Sequence, residues 1–127
     1  MAVTIVTNNR LVIENWSSTY AIEEMDSYEA VFVKVRDLVH TGAKIMTHPM
    51  AGSVKPGESP FRSVVVNVVD GAAMDMESLS IIENALDRFH MLVGCARKRV
   101  FNEATLEDFR VIDNSLVSTG IKVLPKV

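Results

Sequence analysis

The sequence predicts an α/β fold, a single three-layer domain with a mostly parallel sheet of about five strands flanked by helices. Short β-branched segments alternate with longer segments of helical periodicity, which is typical of parallel sheets. The segment SVVVNVV (63–69) is apolar at successive positions, as expected of a strand covered on both faces. A chain of 127 residues suits one hydrophobic core. We therefore expect one domain over residues 1–127.

The first elements are a strand, a short helix and a second strand. Ala2–Val6 is short and β-branched and is followed by polar residues, so it predicts a buried strand. Asn9 is a suitable cap for one or two helical turns over residues 10–16. The segment YAIEEM (20–25) then predicts the second strand.

The clearest helix comes next. Asp26 and Glu29 form a capping-box pair at its start, and Gly42 ends it in the usual position just after the helix. Its apolar residues fall on one face, which predicts that this face covers the sheet. They are Tyr28, Val31, Phe32, Val35, Leu38 and Val39.

Lys44–Thr47 predicts a third strand, and residues 63–69 a fourth. Right-handed crossovers between parallel strands place the first strand between the second and the third. A long helix begins at Met76 and carries Leu79, Ile82, Leu86, Phe89 and Val93 at helical spacing.

The C-terminal region, residues 105–124, predicts one more helix and a last strand. Thr105 with Asp108 begins the helix, and Gly120 ends it. The segment IKVLP (121–125) predicts the closing strand. The apolar residues of the helix are Leu106, Phe109, Ile112 and Leu116.

One segment differs from the regular patterns around it. THPMAGSVKPGESPFRS (47–63) holds three of the four prolines, two glycines and four hydroxyl side chains. In open α/β sheets, ligands bind beyond the carboxyl ends of the strands. Asn8 and Asn9 follow the first strand, and Thr47 and His48 end the third. We therefore expect these four residues to converge on a site.

The loop also has the groups that hold an anion. Gly52 permits close approach of backbone N–H groups, Ser53 and Ser59 offer hydroxyls, and Lys55 and Arg62 offer positive charge. A small carboxylate or phosphate metabolite is the expected ligand. The alternative is a proline-stiffened surface loop that joins two strands and binds nothing.

His48 is the candidate catalytic residue, because it is the histidine at the predicted site and histidine is the commonest general acid–base in enzymes. Glu58 could orient it, but no obvious nucleophile lies beside it in the sequence. His48 could instead contact a ligand, or serve only the structure, since the following Pro49 favours extended backbone. Whether the protein is an enzyme stays open.

Composition and motifs exclude several classes of function. A net charge of −3 argues against nucleic-acid binding. The sequence has no apolar run long enough for a membrane helix, no nucleotide-binding glycine motif and no metal-ligand spacing. We expect neither a cofactor nor a metal. Without a signal-peptide pattern, the expected location is cytoplasmic.

Three segments resemble the GrdX family over about residues 3–89. They are TNN (7–9), KVRDLVHTGAKIMTHPMAGSVKPGESPFRSV (34–64) and ESLSIIENAL (77–86). The proteins of the GrdX family are small accessory proteins encoded beside glycine, sarcosine or betaine reductase in amino-acid-fermenting anaerobes, and their molecular activity is undefined. The resemblance implies that the shared positions are Asn8, Asn9, Thr47, His48, Pro49, Gly52, Ser53, Lys55, Pro56 and Pro60.

Three functions follow as hypotheses. The first is a cytosolic accessory protein of amino-acid reductase metabolism that binds a small anion at the ends of the first and third strands. The second is a small enzyme that uses His48 as acid–base, and the third is an interaction module for a reductase-system protein. Each is compatible with homodimerisation through the long helix. An exposed stripe of Ile81, Ala85 and Leu92 would be the face to check, although we expect this stripe to cover the sheet instead.

Overall fold

The computed structural model describes residues 2–49, 59–69, 71–95 and 101–122. They form four strands and four helices. The elements in chain order are β1 (Ala2–Thr7), α1 (Arg10–Trp16), β2 (Ala21–Glu24), α2 (Tyr28–His40), β3 (Lys44–Ile45), β4 (Ser63–Val68), α3 (Met76–Cys95) and α4 (Glu103–Lys122).

The sheet is mixed, with the strand order β2-β1-β4-β3. β1 pairs with β2 in parallel, but β4 is antiparallel to both of its neighbours, β1 and β3. The prediction of a mostly parallel sheet with β1 beside β3 is therefore wrong. β1, β2 and β3 still point the same way, so their carboxyl ends and the amino end of β4 share one edge of the sheet.

Helices cover both faces of the sheet, as predicted. On one face, α2 and α3 pack over Val64 and Val66 of β4. On the other, α1 and α4 pack over Val65 and Ile5. The alternation of Val64, Val65 and Val66 between the two cores confirms that β4 is buried on both sides, each residue being 0% exposed.

Local chemistry sets the ends of the first two helices. Asn9 caps α1 as predicted, its side chain accepting from the amide of Leu11. Ser27, not Asp26, caps α2 by accepting from the amide of Ala30. Gly42 follows α2 with φ +108° and donates to the Val39 carbonyl, the geometry of a Schellman ending. A Cβ at Gly42 would lie 2.5 Å from the Ala72 carbonyl oxygen, so only glycine fits.

The edge strand β3 is shorter than predicted. Only Lys44 and Ile45 pair with β4; Met46 and Thr47 both donate to the Val65 carbonyl, as in a β-bulge. On its outer side, the Ile45 amide donates to the hydroxyl of Ser78 in the first turn of α3. This contact occupies a backbone donor of the edge strand.

The C-terminal prediction is wrong in three details. Asn102, not Thr105, caps α4 by accepting from the Thr105 amide at 2.8 Å. The helix continues through Gly120 to Lys122, so the first two residues of the predicted last strand are helical. Residues 123–125 of that prediction lie outside the described residues. The described sheet thus has four strands, not five.

The stripe of Ile81, Ala85 and Leu92 on α3 is mostly covered. Ala85 is 1% exposed and packs in the core with α2, while Ile81 and Leu92 are half-buried. Ala85 thus packs in the core that covers one face of the sheet, the use expected for this stripe, and homodimerisation through α3 stays a prediction.

Candidate functional site

The shared sheet edge carries two separate groups of the predicted residues. Asn8, Asn9, Ser59 and Arg62 lie around the junction of β1, β4 and α4, which we call the polar corner. His48 lies beside α3 in a groove of its own. Because β4 separates β1 from β3, the two groups are not the single cluster that strand adjacency predicted.

At the polar corner, Asn8 holds the segment that enters β4. Its side-chain amide donates to the Pro60 carbonyl at 2.8 Å, and its carbonyl oxygen accepts from the Arg62 amide at 2.9 Å. Ser59 makes a local turn with Phe61 through its hydroxyl. These bonds fix the last residues of the 47–63 loop against the end of β1.

Asn9 extends the same corner to α4. Its amide nitrogen donates to the Arg110 carbonyl at 2.9 Å and to Oδ2 of Asp113 at 3.0 Å, while its oxygen caps α1. The side chain is 0% exposed. The polar sequence after β1 therefore joins α1 and α4, two elements that pack on the same face of the sheet.

Asp113 accepts hydrogen bonds from β4 as well. The Ser63 hydroxyl donates to its Oδ2 at 2.7 Å. Burial raises the pKa of Asp113, and hydrogen bonds from Asn9 and Ser63 and the charge of Arg62 oppose that rise. The surrounding donors thus offset part of the cost of burying the Asp113 carboxyl group.

The donors and acceptors of this corner form a closed ring. The single hydroxyl hydrogen of Ser63 goes to Asp113, so the Thr7 hydroxyl, 2.7 Å away, donates to Ser63. Thr7 accepts in turn from the Asn9 backbone amide at 3.0 Å. Asn9 then completes the ring by donating from its side chain to Asp113.

Arg62, which is 3% exposed, lies on the opposite side of β4 from this ring and reaches α2. Its Nε donates to the Tyr28 hydroxyl at 3.0 Å, and its guanidinium lies 5.6 Å from the centre of the Tyr28 ring. Burial raises the pKa of Tyr28, although the charge of Arg62 works against this. Arg62 thus joins the end of the loop to the aromatic core.

Arg110 covers the corner from α4. Its guanidinium lies 5.0 Å from the Phe61 ring centre and donates to Glu103 and Glu107. These hydrogen bonds raise the pKa of Arg110, and the bond from Arg110 lowers that of Glu103. A shallow recess lies beside this cover. Its lining residues are Ser59, Phe61, Arg62, Ile112, Asp113 and Leu116.

Thr47 has a structural contact at the start of the loop. Its hydroxyl accepts from the Val65 amide at 2.9 Å, so the side chain fills a position in the strand ladder. Its methyl group lies against α4 at Gly120, where a Cβ would approach it to 2.7 Å. Thr47 thereby connects the end of β3 to both β4 and α4.

His48 lines a groove of about 310 Å³ along α3. Its other lining residues are Ile81, Asn84, Ala85 and Arg88, all from α3. His48, Asn84 and Arg88 are exposed, and Ala85 is buried. The groove therefore combines an aromatic nitrogen heterocycle, an amide and a guanidinium with an apolar surface.

Gly52, Ser53 and Lys55, predicted to bind the ligand, lie outside the described residues. Among the residues that are described, no group of three or more histidine, cysteine or acidic side chains could hold a metal. Nor does that part of the chain include a helix long and apolar enough to cross a bilayer.

Sequence reasoning missed Tyr28, Ser63, Arg110 and Asp113 at the polar corner, and Asn84 and Arg88 in the groove. A usable signal existed for α4: Arg110, Asp113 and Val117 have helical spacing and are its buried residues. Arg88 gave no comparable signal, because a charged helical residue is usually a solvated one.

A comparison with protein-family models matches residues 4–122 to the family described as GrdX-like protein. The match extends beyond the 3–89 region of the expected resemblance and includes α4. No curated protein and no solved structure matches the chain. The polar corner and the groove both lie within the matched region, and the chain belongs to the GrdX-like protein family.

Proposed function

We propose that this protein is a cytosolic accessory protein that binds a small anionic ligand, a carboxylate or a phosphate, in the groove between His48 and α3. The proposal rests on the groove. Its volume of about 310 Å³ falls at the small end of the range of ligand sites. The family name supports a link to amino-acid (glycine) reductase metabolism.

The chemistry of the groove favours an anion. Arg88 is permanently charged and presents several N–H donors, and the side-chain amide of Asn84 offers two more. His48 can add an N–H donor from the facing wall. A hydrogen bond to a charged group contributes about 1.5–3 kcal/mol, so two or three suggest roughly millimolar to micromolar affinity after the costs of binding.

Binding is better supported than proton transfer. The groove residues contributed by α3 are one amide, one guanidinium and two aliphatic side chains, which serve as donors and packing surface. Proton transfer by His48 would also need a group that orients the imidazole. Glu58, the residue expected to do so, lies outside the described residues.

The test is a thermal-shift screen followed by calorimetry with small carboxylates, phosphate and amino acids. A ligand at a hundredfold its Kd should add about 2.7 kcal/mol to the free energy of unfolding. We expect Arg88→Gln and His48→Ala to lose this shift. Arg36→Gln, the same change of charge on α2, should keep it.

Two outcomes would contradict the proposal. One is that no anion stabilises the folded wild-type protein. The other is that Arg88→Gln and Arg36→Gln weaken binding equally, because the anion then responds to net charge rather than to the groove. The absence of any ligand would direct attention to a protein partner.

A further inference from the structure

We infer that the ligand of the groove is a carboxylate with a short apolar stem rather than a phosphate. This inference rests on the proposed function and narrows it to one ligand class. It comes from the order in which α3 presents the lining residues, charged at one end of the groove and apolar at the other.

The helix fixes that order. Ile81 and Arg88 are seven residues apart, which is about 10 Å along a helix at 1.5 Å per residue. Asn84 and Ala85 lie between them at the spacing that places all four side chains on one face. A ligand that lies along α3 thus meets Arg88 at one end and Ile81 at the other.

A phosphate would leave the apolar end of the groove, at Ile81, exposed to water. Ile81, at the far end from Arg88, is half-buried and keeps apolar surface, whereas Ala85 between them is 1% exposed and packs into the core. A compact, strongly hydrated anion would occupy only the end with Arg88 and Asn84. A carboxylate with an aliphatic stem can bond to Arg88 while its methylene groups extend past Ala85 and cover Ile81.

The size of the effect decides between the two ligand classes. Each methylene group removed from water strengthens binding roughly fourfold. Two methylenes should therefore improve affinity roughly tenfold or somewhat more. A phosphate cannot gain in this way, and an alcohol of the same length lacks the charge that Arg88 binds.

The experiment measures the Kd of wild-type protein by calorimetry for acetate, butanoate and hexanoate, with inorganic phosphate and 1-butanol as comparisons. We expect affinity to rise from acetate to butanoate by roughly tenfold, and 1-butanol to bind at least tenfold more weakly than butanoate. Ile81→Ser should flatten the rise. Ile112→Ser, the same change at an exposed position on α4, should keep it.

The outcomes separate this inference from the proposed function. If phosphate binds as tightly as butanoate, or chain length has no effect, the inference is overturned while the anion site stands. If neither carboxylates nor phosphate bind, the proposed function fails first. If Ile81→Ser does not fold, Ile81→Ala replaces it, and an unchanged chain-length dependence in that folded variant overturns the inference.

Discussion

The side-chain amide of Asn9 donates to the carboxylate of Asp113 across 3.0 Å, although the two residues are 104 positions apart in the chain. Asn9 also caps α1, so one side chain sets the start of α1 and the position of α4. The ring that continues through Ser63 and Thr7 adds both central strands to this junction. The polar corner therefore fixes four elements relative to each other.

We expect Asp113→Ala to lower the free energy of unfolding by more than about 2 kcal/mol, because it leaves two buried donors, on Asn9 and Ser63, without their acceptor. Asp113→Asn should lose less, since its amide oxygen can still accept from both. Asp108→Ala, at an exposed position of α4, is the matched control. Urea denaturation measures the three values, and an Asp113→Ala protein as stable as this control would refute the assignment.

The pH dependence of stability provides a separate prediction for Asp113. Burial raises its pKa, so the folded state binds this proton more tightly than the unfolded chain does. Its contribution to stability therefore falls as pH rises from the ordinary Asp pKa of about 4 towards the raised folded value. Relative to Asp113→Asn, the wild-type protein should lose stability over that range in urea titrations. Parallel pH curves would contradict the prediction.

Gly120 and Thr47 give a prediction about close packing. Alanine in a helix normally stabilises by about 1 kcal/mol relative to glycine. Here a Cβ at Gly120 would lie 2.7 Å from the methyl group of Thr47, which its hydrogen bond to Val65 holds in place.

Gly120→Ala should therefore destabilise the wild-type protein, as measured by thermal unfolding. Thr47→Ser removes the methyl group and keeps the hydroxyl, so Gly120→Ala should become stabilising in that background. A gain of stability from Gly120→Ala alone would show that α4 does not approach the loop this closely.

Ser78 should protect the outer edge of β3. Its hydroxyl accepts from the Ile45 amide at 3.0 Å and donates to Asp75, which precedes α3. Ser78→Ala should cost about 1–2 kcal/mol and speed hydrogen exchange at the Ile45 amide. Ser80→Ala, at an exposed position of α3, should change neither quantity. Unchanged exchange at Ile45 in a folded Ser78→Ala protein would rule out this role.

Asn8 should be required to hold the end of the 47–63 loop in place before β4 begins. Asn8→Asp keeps the acceptor for the Arg62 amide but replaces the donor to the Pro60 carbonyl with an oxygen, so two acceptors would face each other. We expect a loss of about 1–3 kcal/mol by urea denaturation. Asn114→Asp keeps its acceptor for the Trp16 indole and should have a smaller effect. Equal effects would argue against the contact.

The local features of the fold were predictable from sequence, because their chemistry lies within a few residues. Asn9 was identified as a helix cap, Gly42 as a helix end, and residues 63–69 as a strand buried on both faces. The direction of that strand was not predictable. An apolar pattern on both faces is the same whether a strand runs parallel or antiparallel, and the long segment before it can connect either arrangement.

At the candidate site, too, the sequence indicated local positions but not the contacts between distant segments. His48 was predicted as a site residue from its position after a strand. It lines a groove, and its role there stays a prediction. The buried residues of α4 were missed because the apolar pattern pointed to Ile112, which is 42% exposed. Arg110, Asp113 and Val117 do lie at helical spacing, but the donors to Asp113 come from Asn9 and Ser63, which are far away in sequence.

The position of β4 in the sheet has a consequence for how the chain folds. β1, α1 and β2 are consecutive and can associate early, whereas β3 offers only two residues for pairing and meets the sheet through β4. The last of the described strands to be synthesised therefore fills the middle of the sheet, over sequence separations that slow folding. In pulse-labelling hydrogen exchange, we expect amides of β1 and β2 to gain protection before those of β3.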